Sequence, residues 1–109
     1  MTMITIVVLH VIAEENRDAA LALIERNGAD ARKFPGFVSR RMLFSRDDPL
    51  RCYSVTSWRS WEDVERFRTR TDRPPLDIEG EERRIYEWSP AGRILLFTRS
   101  ATEICDEAE

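Results

Sequence analysis

The sequence predicts an α+β fold with the ferredoxin-like order β-α-β-β-α-β, one antiparallel sheet carrying both helices on one face. Three observations carry this reading. Residues 4–12 (ITIVVLHVI) form a mostly β-branched run, apolar at nearly every position, longer than a half-buried strand needs and expected of a strand covered on both faces. Residues 37–45 and 51–58 are two further strand-like runs, separated by Arg46-Asp47-Asp48-Pro49-Leu50, whose Asp and Pro chemistry suits a hairpin. Helical periodicity appears once between the first and second of these runs and once after the third.

The first helical stretch, residues 17–33, repeats apolar side chains near the 3.6 period at Ala20, Leu23, Ile24 and Ala31, followed by Phe34. Asn16 is a candidate N-cap, and Lys33-Phe34-Pro35-Gly36 stops the helix. The second stretch starts at Ser60, whose hydroxyl can cap the chain with Asp63 three residues on, and it sets Trp61, Val64 and Phe67 on one side. Pro74-Pro75 breaks any continuation, so 69–80 reads as an irregular connection, and 81–88 is ambiguous between a short helix and a strand. Ser89-Pro90-Ala91-Gly92 is turn chemistry ahead of the last main strand, 93–98 (RILLFT). The chain is expected to form one domain over 1–100, followed by a frayed acidic tail over 101–109.

A period of two puts Ile4, Ile6, Val8, His10 and Ile12 on one face of the first strand and Thr5, Val7, Leu9 and Val11 on the other. Two helices can cover only one face of the sheet. The other would expose an apolar patch larger than soluble monomers usually carry, so a homodimer with two sheets packed face to face is expected.

Composition narrows the partners. With 109 residues, 42% hydrophobic and 34% charged, the chain is a folded domain rather than a disordered one. Its 17 Lys+Arg against 20 Asp+Glu, net charge -3, lack the basic excess that nucleic-acid binding requires. The apolar start is too short to span a bilayer and has no basic flank, so neither nucleic acid nor membrane is an expected partner. Cys52 and Cys105 have no CxxC spacing and no histidine at metal-ligand distance in sequence, which reads as reduced thiols in a cytoplasmic protein without a metal site.

Pro35-Gly36-Phe37, the strand pair behind it, and Val55-Thr56-Ser57-Trp58-Arg59-Ser60-Trp61-Glu62-Asp63 leading into a helix resemble the antibiotic biosynthesis monooxygenase (ABM) family of the dimeric α+β barrel superfamily. The likeness runs over about residues 3–70. It implies a cavity between sheet and helices in each subunit and a dimer interface made by the sheets. Members include cofactor-independent oxygenases acting on polycyclic phenols and anthrones, and haem-degrading enzymes. The haem-degrading pattern asks for an Asn on the first strand, a Trp on the second helix and a His after it. Val7, Phe67 and Leu76 stand at those positions, and no histidine follows His10, so haem degradation is disfavoured.

The cofactor-free reaction asks for less: a desolvated aromatic pocket, an acid/base group and donors for a developing oxyanion. Trp58, Trp61 and Phe67 are candidates for the aromatic wall, Val7 aligns with the pocket face, and Tyr53 can donate a hydrogen bond. His10 titrates in the working range. Arg40 or Arg41 can hold an enolate or phenolate, one pointing to each face; Arg41 is assigned with His10 as the catalytic pair. Placing Val7 toward the pocket sends His10 and Val8 to the dimer interface. The expected function is a cofactor-independent oxygenase, using no metal or cofactor, for a small aromatic or quinol-like substrate. The alternative is a non-catalytic small-molecule-binding or structural homodimer of the same fold, and the residues leave open which of the two holds.

Overall fold

The computed structural model describes residues 3–72, 77–79 and 83–108. Its elements are β1 (Ile4–Ile12), α1 (Arg17–Ala31), β2 (Phe37–Phe44), β3 (Arg51–Trp58), α2 (Trp61–Arg68), β4 (Asp77–Glu79), β5 (Arg84–Ser89) and β6 (Gly92–Asp106). All strands join one antiparallel sheet in the order β2-β3-β1-β6-β5-β4. The first four strands of that row give the ferredoxin-like α+β order, and the β4–β5 hairpin extends it beyond β6.

Three expectations need correction. Residues 101–106 are not a frayed tail: β6 runs fifteen residues and pairs Thr102 with Val8, Ile104 with Ile6 and Asp106 with Ile4. The central strand has two rows of backbone donors and acceptors, and this stretch satisfies the second row. The connection over 69–80 contains β4, whose Ile78 pairs with Ile85, and β5 settles the ambiguous stretch as strand from Arg84 onward. Residues 73–76 (Leu76 included), 80, 81 and 82 lie outside the described residues. Asn16 does not cap α1 with its side chain; instead its Nδ2 donates to the Leu95 carbonyl at 2.7 Å, tying the helix start to β6.

Ser60 behaves as its position predicts. Its Oγ accepts from the Asp63 backbone N–H at 3.3 Å and donates to Asp63 Oδ2 at 2.8 Å, satisfying an otherwise orphaned donor of α2. Val64 and Phe67 face the sheet, but Trp61 stays 41% exposed, with the Arg68 guanidinium 5.8 Å from its ring centroid.

The core is divided. At one end of the sheet Ile12, Ala20, Leu23, Ile24, Cys52, Leu96 and Phe97 pack together. At the other, Ala31, Trp58 and Val64 pack with Ile4, Ile6, Phe34, Phe37 and Phe67 around them. Both clusters use the even-numbered face of β1, so that face lies under the helices, and Thr5, Val7, Leu9 and Val11 are on the uncovered side. Gly36 closes the α1–β2 turn at φ +85°, where a Cβ would overlap the Asp63 carboxylate. Left-handed backbone and loss of the α2 cap then coincide. Gly36→Ala is expected to lower stability by about 2 kcal/mol or more, read as a shifted midpoint in urea denaturation.

Candidate functional site

Between the two halves of the core lies a cavity of about 360 Å³. It exists because the strands flanking β1 carry small side chains there. Ser54 and Thr56 of β3 stand opposite Val8 and Ile6, and Ser100 and Thr102 of β6 stand opposite His10 and Val8. All four side chains are short, so the space under α1 stays open. Its aromatic walls are Trp58, Phe67 and Phe97; Trp58 and Phe67 lie with centroids 5.2 Å apart, and Phe97 lies 4.8 Å from the His10 ring.

His10 is held between two hydroxyls, Nδ1 at 3.3 Å from Ser100 Oγ and Nε2 at 3.5 Å from Ser54 Oγ. Burial, and then the charge of Arg40, lower its pKa from 6.5 to about 4, so the imidazole is neutral at physiological pH. Arg40 comes from β2, its Nη1 donating to Thr56 Oγ1 at 3.1 Å and its Nη2 to the Ile24 carbonyl at 3.2 Å. Burial and then the Arg32 guanidinium pull its pKa down, yet an arginine remains a cation. Among the described residues no carboxylate lies within ion-pair distance of it. α1 makes room for this side chain at Gly28, where a Cβ would come within 2.8 Å of Arg40 Nε. A glycine inside a helix costs about 1 kcal/mol relative to alanine.

The model of the family described as antibiotic biosynthesis monooxygenase matches residues 3–72. The chain belongs to that family. No curated protein matches. Among solved structures, a protein from Shewanella oneidensis is similar at TM-score 0.70 and 15% identity, covering 97% of this chain and 91% of that one. SnoaB, a cofactor-independent oxygenase from Streptomyces nogalater, is similar at TM-score 0.68 and 16% identity, covering 100% and 96%. A protein from Pseudomonas aeruginosa is similar at TM-score 0.64 and 17% identity, covering 100% and 97%. At these identities the likeness is one of fold.

Within this antibiotic biosynthesis monooxygenase fold the candidate residues separate by strand parity. His10, Trp58 and Phe67 line the cavity; Val7, Tyr53, Trp61 and Arg41 do not. Val7 pairs with Val55, Leu9 with Tyr53 and Arg41 with Val55, which puts Val7, Tyr53 and Arg41 on the uncovered face. His10 and Val8 therefore face the helices rather than an interface between sheets, and Arg40 supplies the inward cation in place of Arg41. A change of one residue exchanges the two faces of a strand, and Val7 stands on the face opposite to the one expected of it. Sequence reasoning missed Phe97, Ser54, Ser100 and Thr102. The alternation of small residues at Cys52, Ser54 and Thr56 was the available signal for an unfilled face.

The depressed pKa has a defined consequence for stability. Below pH 6.5 the unfolded chain takes a proton at His10 that the folded chain refuses until about pH 4. Stability is thus full above 6.5 and falls by up to about 1.4 kcal/mol per pH unit across that window. Imidazole resonances are expected to titrate with a midpoint near pH 4, and Arg40→Met should raise that midpoint part of the way, because burial remains the larger cause.

Proposed function

We propose that the protein is a homodimeric, cofactor-independent oxygenase acting on a small aromatic, quinol-like substrate. The observation that carries this reading is the aromatic-walled cavity holding a neutral imidazole and a cation without a carboxylate partner among the described residues. Its membership of the family, and its likeness in fold to SnoaB, support it. The proton of a phenolic O–H or an activated C–H passes to His10, and the Arg40 guanidinium stabilises the anion left behind. That electron-rich anion reduces dioxygen itself. In a hydroquinone a ring C–H takes one oxygen atom of O2 to become C–OH, the ring is left as the quinone, and the other oxygen leaves as water with the two phenolic hydrogens. In an anthrone a methylene becomes a carbonyl with one oxygen atom and the other leaves as water with the two hydrogens, so no external reductant enters either balance.

A base with a pKa near 4 is weak for this task, and that same observation favours the second reading, a binding protein without turnover. Oxygen uptake with a panel of hydroquinones and anthrones separates the two. Uptake is expected, and His10→Gln is expected to lower it by about a hundredfold, a common contribution of a general base. No uptake above the protein-free rate with any member of the panel, with retained binding, favours the second reading.

The uncovered sheet face supports the dimer. Val7, Leu9 and Val11 of β1 share it with Tyr53, Val55 and Leu43, the last 46% exposed. Two such faces packed together would remove this patch from water. Sedimentation is expected to report twice the chain mass of 12.8 kDa. Val7→Asp should return it to the single-chain mass, because an unpaired charge in such an interface costs several kcal/mol. We place its action in the cytoplasm, with Cys52 and Cys105 as free thiols on opposite faces of the sheet.

A further inference from the structure

We propose that the ligand of this cavity is an aromatic carboxylate whose carboxylate group is received by Arg40. The inference rests on the reading of the cavity as the ligand site, and it adds the charge and shape of what enters. The lining contains Arg40, Arg68, Arg70 and Arg83 and no aspartate or glutamate among the described residues. Arg68 is paired with Glu65, and Arg70 with Asp30 and Asp72. Arg40 differs from these two: both acceptors it reaches, the Thr56 hydroxyl and the Ile24 carbonyl, are neutral. They fix the plane of the guanidinium without cancelling its charge. A cation withdrawn from water in this way favours an anion that shares the site.

Gly28 makes the arrangement specific. Its missing side chain leaves the space beside Arg40 Nε, so the guanidinium lies against α1 at one side of the cavity rather than across it. The other polar ring in the site, His10, is uncharged and neither repels nor neutralises an anion at Arg40. The planar fork of a guanidinium matches the two oxygens of a carboxylate better than the single oxygen of a phenolate. Trp58, Phe67 and Phe97 then face the remainder of the ligand with ring surface, which favours an aromatic body. A volume of about 360 Å³ accommodates a bicyclic acid. A quinol-like substrate would carry its carboxylate on the ring system, away from the position oxidised; Arg40 then holds that carboxylate instead of the anion formed beside His10, and that anion is delocalised by the ring system itself.

Titration calorimetry on the full chain with 2-naphthoate and its neutral counterpart 2-naphthamide tests the proposal without any turnover. The wild type is expected to bind naphthoate at least about tenfold tighter than naphthamide, a factor within reach of a charge-assisted, two-point contact. In Arg40→Met that ratio should fall to about one while naphthamide affinity changes less than about twofold, showing that the cavity persists. Should Arg40→Met fail to fold, Gly28→Ala carries the same test: the added methyl displaces the guanidinium with its charge intact, and naphthoate alone should weaken. Equal affinity for the two probes in the wild type, binding of neither, or a preference that survives both substitutions overturns the proposal. These binding results are independent of oxygen uptake. A protein that oxidises quinols without preferring naphthoate refutes the carboxylate and keeps the oxygenase, and the converse result keeps the carboxylate and refutes the oxygenase.

Discussion

β1 is hydrogen-bonded on both sides, to β3 and to β6, and its register fixes the direction of every side chain in the middle of the sheet. Because side chains alternate strictly along a strand, one choice of parity sends Ile4, Ile6, Val8, His10 and Ile12 toward the helices and leaves Val7, Leu9 and Val11 on bare sheet. The same choice propagates through the ladders to Ser54, Thr56 and Trp58 on one neighbour and to Ser100, Thr102 and Ile104 on the other. Core, cavity and uncovered face are three results of that register. The bulge between Val11 and Ile12 shifts the pairing at the end of the strand, where Ile12 joins Phe97 in the first core cluster.

The imidazole and the guanidinium at this cavity, both half-buried, are treated differently by their surroundings. His10 escapes the cost of burial by remaining neutral, since its proton can leave. Arg40 has no such escape, and the fold accommodates it with a carbonyl from α1, a hydroxyl from β3 and a helix position kept as glycine. The coupling acts on the imidazole: the guanidinium charge helps hold it unprotonated, while the guanidinium charge itself stays uncompensated. An anion placed between them would weaken the first effect and answer the second.

Much of the scaffold is legible from local chemistry. The β-branched run over 4–12, the Asp and Pro loop over 46–50 and the hydroxyl of Ser60 each act within a few residues, and the elements they mark begin or end where those residues stand. What was not legible depends on distant partners. Residues 99–106 have weak strand propensity of their own, and they are a strand because β1 offers an open edge. The inward direction of His10 and Arg40 is a matter of register, which composition and periodicity leave undetermined by one residue. Asn16 sits where a capping residue belongs, yet its amide finds a better acceptor in Leu95 across the chain. The cavity was expected from family resemblance, while most of its floor came from residues whose small size carries no signal until their neighbours are known.

That floor is built from hydroxyl side chains hanging beneath a backbone ladder that pairs without reference to their size. Exchanging Thr102 for alanine, valine or leucine would deepen or fill the space above β6 while every strand pairing stays as it is. Ligand choice and folding are therefore under separate control at that position. A descendant of this chain could move from one ring system to another by single substitutions, each intermediate still folded, which gives a physical route by which one scaffold diversifies its chemistry.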